Sequence, residues 1–317
     1  MEQIRNFDQL LQAALAHGRK GIAVAAPYDK NTLLAVKDAL ASGLAAPQLF
    51  GDVERMLPLL EQVQLDAGAV KLTDVRDTAQ AIDAAIESIR SGENQILMKG
   101  AVSTGTLLKH ALDRTRGLNI GRLASHLIVL QIPGLDRLLI STDGGLNIAP
   151  TLTEKADILR NAIDVARALG IETPKAACLA AVETVNPKMQ ATVDAACLCK
   201  MADRGAFQDA VVEGPLAMDN ILSAEAAKKK GIVSEVPGQA DIILAPSIEV
   251  ANTFSKTLNY LVFILRSTYY QAQNIYFASS TPMAREAYLE AGSLAREGRM
   301  IGAAVPMTIP ALEECIR

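Results

Sequence analysis

Short apolar runs alternate with amphipathic helical patterns along nearly the whole chain, and few architectures accept that order. Gly21–Ala26, Pro47–Phe50, Gln95–Lys99, Lys175–Ala180, Ala210–Val212, Asp241–Ala245 and Asn274–Phe277 have strand character. Between them, helical spacing marks Lys30–Gly43, Arg55–Val63, Thr78–Arg90, Thr104–Leu112, Met189–Arg204, Ser223–Lys230, Val250–Leu265 and Pro282–Glu297. Such alternation predicts an α/β protein whose mainly parallel sheets are covered by helices. The pattern breaks once, where Leu127–Ile132 and Arg137–Ser141 flank the turn dipeptide Pro133-Gly134, as an antiparallel pair would. Thr151 and Glu154 then have capping-box spacing before a long helix to Leu169, so a second unit is expected from about Ile148.

Composition narrows the function. Only 4% of the 317 residues are aromatic and there is no Trp, which disfavours stacking on nucleic acid or sugar. A net charge of −4 gives no general attraction to polyanions. Cys178, Cys197, Cys199 and Cys315 form no Cys-x-x-Cys pair, so neither a zinc site nor a disulfide framework is expected. The longest apolar stretch, Leu258 to Leu265, is interrupted by Asn259 and too short to span a bilayer, and the N-terminus has no apolar signal core. A cytoplasmic protein with no membrane or nucleic-acid partner is the expectation.

Two segments carry candidate chemistry. Met98-Lys99-Gly100-Ala101-Val102-Ser103-Thr104-Gly105 leads from a strand into a helix. A helix start presents unpaired N–H groups and the positive end of the dipole, and Lys99, Ser103 and Thr104 add side-chain donors, so an anion would sit there. The same residue types serve equally as helix caps. Val211-Val212-Glu213-Gly214-Pro215-Leu216-Ala217-Met218-Asp219-Asn220 is expected to be a strand ending in a Gly-Pro turn with a carboxylate on each side. Glu183, Glu213, Asp219 and Glu249 each follow a predicted strand, which is the ligand edge of an open α/β sheet, although each could also cap a helix. Lys228-Lys229-Lys230-Gly231 fits a helix end, with cations on the negative dipole terminus and Gly just beyond. His17, His110 and His126 have no visible nucleophile or metal partner, and Cys178 fits a small buried thiol.

Taken together, Lys99-Gly100…Ser103-Thr104-Gly105…Leu108-Lys109, Pro150-Thr151-Leu152…Glu154-Lys155-Ala156-Asp157-Ile158…Asn161-Ala162, Val182-Glu183…Asn186-Pro187-Lys188-Met189, Gly214-Pro215-Leu216-Ala217…Asp219-Asn220 and Ala240-Asp241-Ile242 resemble the phosphate acetyl/butyryl transferases, most nearly the phosphotransbutyrylase branch. These motifs run in order from about Gly21 to Lys256. The resemblance implies two α/β/α domains like those of the isocitrate/isopropylmalate dehydrogenases, with the active site in the inter-domain cleft. It implies a first domain of residues 1–147 and 270–317 and a second of 148–269, in a homodimer or larger homo-oligomer. It further implies transfer of a short or branched acyl group between coenzyme A and inorganic phosphate, without a metal or redox cofactor. Ser279 is implied as the catalytic residue. Lys99, Ser103, Thr104, Gly105, Glu213, Gly214, Pro215, Asp219, Glu249, Asn252 and Lys256 are implied to bind phosphate or substrate.

After Glu249 the chain departs from the family. Asn252 and Lys256 keep the pattern, but no Gly occurs between Gly238 and Gly292. Aligned on Asn274–Phe277, the family's Ser-Arg-x-Asp signature becomes Ser279-Ser280-Thr281-Pro282, with Arg285 and Glu286 one helical turn later. An alternative is therefore a relative that binds acyl-CoA or acyl phosphate without catalysing transfer. Another is transfer from a protein-bound thioester, which would need an exposed thiol such as Cys315. Removing a guanidinium that grips phosphate typically costs on the order of 10²–10³ in rate. Ser280→Arg combined with Pro282→Asp should accordingly raise phosphate-dependent thiol release from an acyl-CoA by at least roughly tenfold. No gain in the double variant would show that the signature is aligned wrongly.

Overall fold

The structure is a computed structural model describing residues 2–118, 123–132, 134–261, 265–272 and 275–279, with side chains up to residue 258. From the N-terminus the elements are α1 (Phe7–Ala16), β1 (Lys20–Ala25), α2 (Lys30–Ala41), β2 (Ala45–Gly51), α3 (Val53–Gln62), β3 (Lys71–Asp74), α4 (Thr78–Arg90), β4 (Ile96–Lys99) and α5 (Thr104–Ala111). There follow β5 (Ser125–Gln131), β6 (Leu138–Thr142), α6 (Leu152–Ala168), β7 (Lys175–Leu179), α7 (Gln190–Asp203), β8 (Val211–Leu216), α8 (Met218–Leu222), α9 (Ala224–Lys229), β9 (Ile242–Leu244), α10 (Ile248–Leu261), β10 (Leu265–Ala272) and β11 (Ile275–Ser279).

The chain divides into two units. The first comprises Phe7–Arg122 with the described part of Thr268–Cys315, and the second comprises residues 2–6 with Leu123–Ser267. In the first, the strand order is β3-β2-β1-β4-β11-β10. All neighbours are parallel except the β10/β11 pair. Ile22 and Val24 of β1 face α2 and α3 in a core with Leu33, Val36, Leu49, Met56, Leu60, Ile96 and Met98. The intervening Ala23 and Ala25 turn to the opposite face, where α4 lies against β1 and buries Ala81, Ile82, Ala85 and Ile86. The small side chains on both elements let helix and strand approach closely.

The second unit has the order β5-β6-β9-β7-β8. Here β6, β9, β7 and β8 are parallel and β5 is antiparallel to β6. Its core joins Ile128, Leu130, Leu139, Ala177, Leu179, Leu216, Ile221 and Ile243. The capping box of α6 is present: Glu154 N–H donates to Thr151 Oγ1, and the Glu154 carboxylate accepts from Thr151 N–H. The expected domain limits need two corrections. Residues 123–147 belong to the second unit, because β6 pairs with β9 and β5 pairs with β6. Residues 2–6 belong there too, since Ile4 N–H donates to Leu169 O at 2.9 Å and Ile4 is buried. The strand expected at Asn274–Phe277 is β11, and it lies beside β4 in the sheet that contains β1. The expected helix Pro282–Glu297 lies outside the described residues.

Lys155 of α6 and Asp194 of α7 form an ion pair of 2.6 Å, each side chain 7% exposed, with Gln190 Nε2 donating to the other carboxylate oxygen at 2.8 Å. Removing one partner of such a pair leaves a buried uncompensated charge, a loss of about 3–5 kcal/mol. Lys155→Met should therefore lower the urea midpoint of the second unit sharply, and Lys155→Met with Asp194→Leu should recover most of the loss. A single variant as stable as wild type would contradict this reading.

Candidate functional site at the sheet edges

In the first unit the chain runs from β1 outward to β2 and β3, then crosses back through α4 to β4 on the other side of β1. That reversal places the topological switch point between β1 and β4, where open α/β sheets bind ligands beyond the carboxyl ends. The loop that leaves β4 is Lys99-Gly100-Ala101-Val102-Ser103, as the sequence suggested. Gly100 N–H donates to Ala25 O and Ala101 N–H to Ala26 O, at 2.9 and 2.8 Å, which ties this loop to the end of β1. A Cβ on Gly100 would come within 2.2 Å of Ala26 O, so only glycine permits that approach. Lys99 Nζ donates to Gly100 O at 3.1 Å and Val102 O at 3.0 Å, neutralising carbonyls that point out of the turn.

Ser103 is the N-cap of α5. Its Oγ accepts from Thr106 N–H at 3.0 Å, and Leu107 N–H donates to Ser103 O. The first N–H groups, those of Thr104 and Gly105, have no partner within the helix. Ser103 and Gly105 are exposed. Capping and anion binding are thus compatible here: the hydroxyl serves the helix while the leading N–H groups face outward with the dipole behind them. Strand register adds the third component. Lys99 is the partner of Ala25 on one side and of Ser279 on the other, so Ser279 ends its strand level with the start of this loop. Ser280, Thr281, Pro282, Arg285, Glu286 and Cys315 lie outside the described residues.

In the second unit the chain moves from β7 out to β8 and returns to β9 on the other side of β7, so the switch point lies between β7 and β9. Past the carboxyl ends, Lys230 Nζ lies 3.1 Å from Glu183 Oε2 in the loop after β7, and 3.1 Å from Asp219 Oδ2 in α8. Hydrogen bonds to Lys230 hold both carboxyls below their usual range, and the two carboxylates, Asp219 foremost, raise the Lys230 ammonium. Asn220 is fully buried beside them, and its Nδ2 donates to Glu183 Oε2 at 3.5 Å. Lys230 does cap α9, with Gly231 at positive φ beyond it, as its sequence suggested. Its bridging of two loops had no local signal, because its partners stand 47 and 11 residues away.

The expected Gly214-Pro215 turn needs correction. Glu213, Gly214 and Pro215 do not form a turn after a strand; they lie within β8, which continues to Leu216. Glu213 accepts from Gly214 N–H at 2.9 Å, and a Cβ on Gly214 would meet Cys178 Cβ at 2.7 Å, so this glycine serves strand-to-strand packing. Asp219 does follow the strand. Glu249 is exposed in the first turn of α10, its carboxyl lowered by its own N–H and the Ser247 hydroxyl. Asn252 Nδ2 donates to Gly144 O at 3.0 Å, and Lys256 is exposed one turn farther along.

Gly144 belongs to a second organising feature that the sequence reading missed. Asp143, 3% exposed, accepts from the backbone N–H of His126, Gly145, Leu146 and Asn147 and from Asn147 Nδ2. The Asp-Gly-Gly tripeptide after β6 is the signal that would have found it. His126 is buried, with Gly145 against its imidazole, and His110 pairs with Asp83 at 2.6 Å. Cys178 and Cys199 are poor nucleophiles: burial pushes the Cys178 thiol up and carries that of Cys199 to about 12.

The family described as Phosphate acetyl/butaryl transferase matches residues 75–265. The phosphate butyryltransferase of Clostridium beijerinckii is 41% identical over 256 residues, covering 81% of this chain and 85% of the relative. The phosphate acetyltransferase of Thermotoga maritima is 41% identical over 255 residues, 80% of this chain and 86% of that protein. The crystal structure of a branched-chain phosphotransacylase from Enterococcus faecalis superposes with a TM-score of 0.71 at 27% identity, covering 83% of this chain and 92% of that one. No helix among the described residues is long and apolar enough to cross a membrane. Motif order, two α/β units with mainly parallel sheets, and identity across four-fifths of the sequence agree that this chain belongs to the phosphate acetyl/butyryl transferase family.

Proposed function

We propose that the protein moves a short or branched acyl group between coenzyme A and inorganic phosphate. The observation that carries this reading is the alignment of Ser279 with Lys99 beside the open N-terminus of α5, one anion site and one catalytic candidate on a single sheet edge. The identity to phosphate butyryl- and acetyltransferases favours an active transferase over a non-catalytic relative.

Phosphate dianion rests on the N–H groups of Thr104 and Gly105, held in line with the dipole of α5. One of its oxygens attacks the thioester carbonyl, giving a tetrahedral intermediate whose oxyanion requires nearby donors. Collapse breaks the C–S bond. The thiolate takes up the proton carried in with phosphate, and acyl phosphate and free coenzyme A leave. Ser279 is assigned the role of donor to the oxyanion or to the departing sulfur. The exchange is redox-neutral and forms no bond to the enzyme, so acyl-CoA and phosphate are the only partners it calls for and no cofactor is needed. A homodimer or larger homo-oligomer is the assembly that accompanies this reading.

Thiol release from a panel of acyl-CoAs, with and without phosphate, tests the proposal. Butyryl- and branched-chain thioesters should release thiol only when phosphate is present. Ser103→Asp separates the two duties of the turn, because aspartate caps a helix as well as serine does but repels phosphate. That variant should keep its thermal midpoint within a few degrees while the KM for phosphate rises at least roughly tenfold. Thiol release independent of phosphate, or a Ser103→Asp variant with unchanged phosphate KM, would overturn the assignment.

A further inference from the structure

We propose that Lys230 is a positioning residue of the second unit's own ligand edge, acting as a clamp that fixes the loop after β7 against the turn after β8. This rests on the acyl-transfer reading. Lys230 Nζ reaches Glu183 Oε2 at 3.1 Å and both oxygens of Asp219, at 3.1 and 3.4 Å. The three groups come from three separate segments, and two of those segments, the β7 loop and the β8 turn, stand on the carboxyl edge of the second unit's sheet.

Stability alone does not account for the arrangement. The side chains of Lys230, Glu183 and Asp219 are 35%, 26% and 55% exposed, and ion pairs that water reaches contribute little to folding. What such a pair does supply is geometry, since one ammonium shared by two carboxylates restricts where both can stand. Asn220 reinforces the same point from below. It is fully buried, and its Nδ2 donates to the same Glu183 oxygen that Lys230 contacts. The loop so held runs through exposed Thr184, Val185, Asn186, Pro187 and Lys188 before Met189 leads into α7. Within it, Asn186 Oδ1 accepts from Lys188 N–H, and Asn186 N–H donates to buried Thr192. Glu183 is thus the tether at one end of the loop and Thr192 the tether at the other.

Two readouts test the clamp, one of them independent of activity. Hydrogen exchange of the amides in residues 181–188 is compared among wild type, Lys230→Met, Lys230→Arg and Glu183→Gln, and kcat/KM for acyl-CoA is measured on the same proteins. Lys230→Met and Glu183→Gln should each accelerate exchange in that loop roughly tenfold or more, with the strands unchanged, and lower kcat/KM by a similar factor. Their double variant should be no worse than the worse single one, since both break one network. Lys230→Arg should restore both readouts to within about threefold, because a guanidinium can span the same two carboxylates. Unchanged exchange in Lys230→Met overturns the proposal, as does faster exchange with kcat/KM intact. Should Lys230→Met lose its fold, Glu183→Gln decides by the same criteria. A wild type without phosphate-dependent turnover refutes the acyl-transfer reading, and with it the positioning role, while the exchange result still reports whether the loop is clamped.

Discussion

Because β1, β4 and β11 run parallel and in register, Ala25, Lys99 and Ser279 finish level, and every group assigned to the first unit's site is placed by that pairing. The loop after β4 can approach β1 only because Gly100 has no side chain to meet Ala26 O. That approach sets the start of α5, and the start of α5 aims the N–H groups of Thr104 and Gly105. An anion site of this kind needs no large charge. It needs a helix start that is exposed, fixed, and already capped by a side chain that leaves the leading donors unused, and Ser103 does this. Lys99 holds the carbonyls of the same turn.

The second unit achieves order at its ligand edge by different means. There the loops after β6 and β7 are long, and two carboxylates help to order them. Asp143 gathers four backbone N–H groups and the Asn147 amide into one turn after β6, and Glu183, with Lys230, Asp219 and Asn220, joins the loops after β7 and β8. The turn after β6 is further tied to α10 by Asn252 through Gly144 O. Charged residues near the ends of strands therefore order the loops here.

Much of the fold was legible because periodicity is a local property. Thr78–Arg90 is a helix at those limits, and the capping box at Thr151 and Glu154 is present as its spacing implied. A short element with weak apolar character escaped: β3, Lys71–Asp74, is an edge strand whose residues are exposed or half-buried. The Gly-Pro dipeptide in β8 misled because its usual meaning is a turn. Here Pro215 is buried within the strand and Gly214 gives room to Cys178. The candidate site was legible where a motif is contiguous, as at Lys99–Gly105, and illegible where it is assembled over distance, as at Lys230. Domain limits failed for the same reason, since the affiliation of β5 and β6 depends on β9, about a hundred residues later.

The proposed function depends on phosphate binding at the N-terminus of α5, on the sheet edge shared with Ser279. A crystal structure of the protein with phosphate and coenzyme A bound tests it most directly. Phosphate is expected within hydrogen-bonding distance of the Thr104 and Gly105 N–H groups, with the coenzyme A sulfur near enough for an acyl group to bridge them. Phosphate bound elsewhere, with that turn unoccupied and the sulfur remote from Ser279, would contradict it.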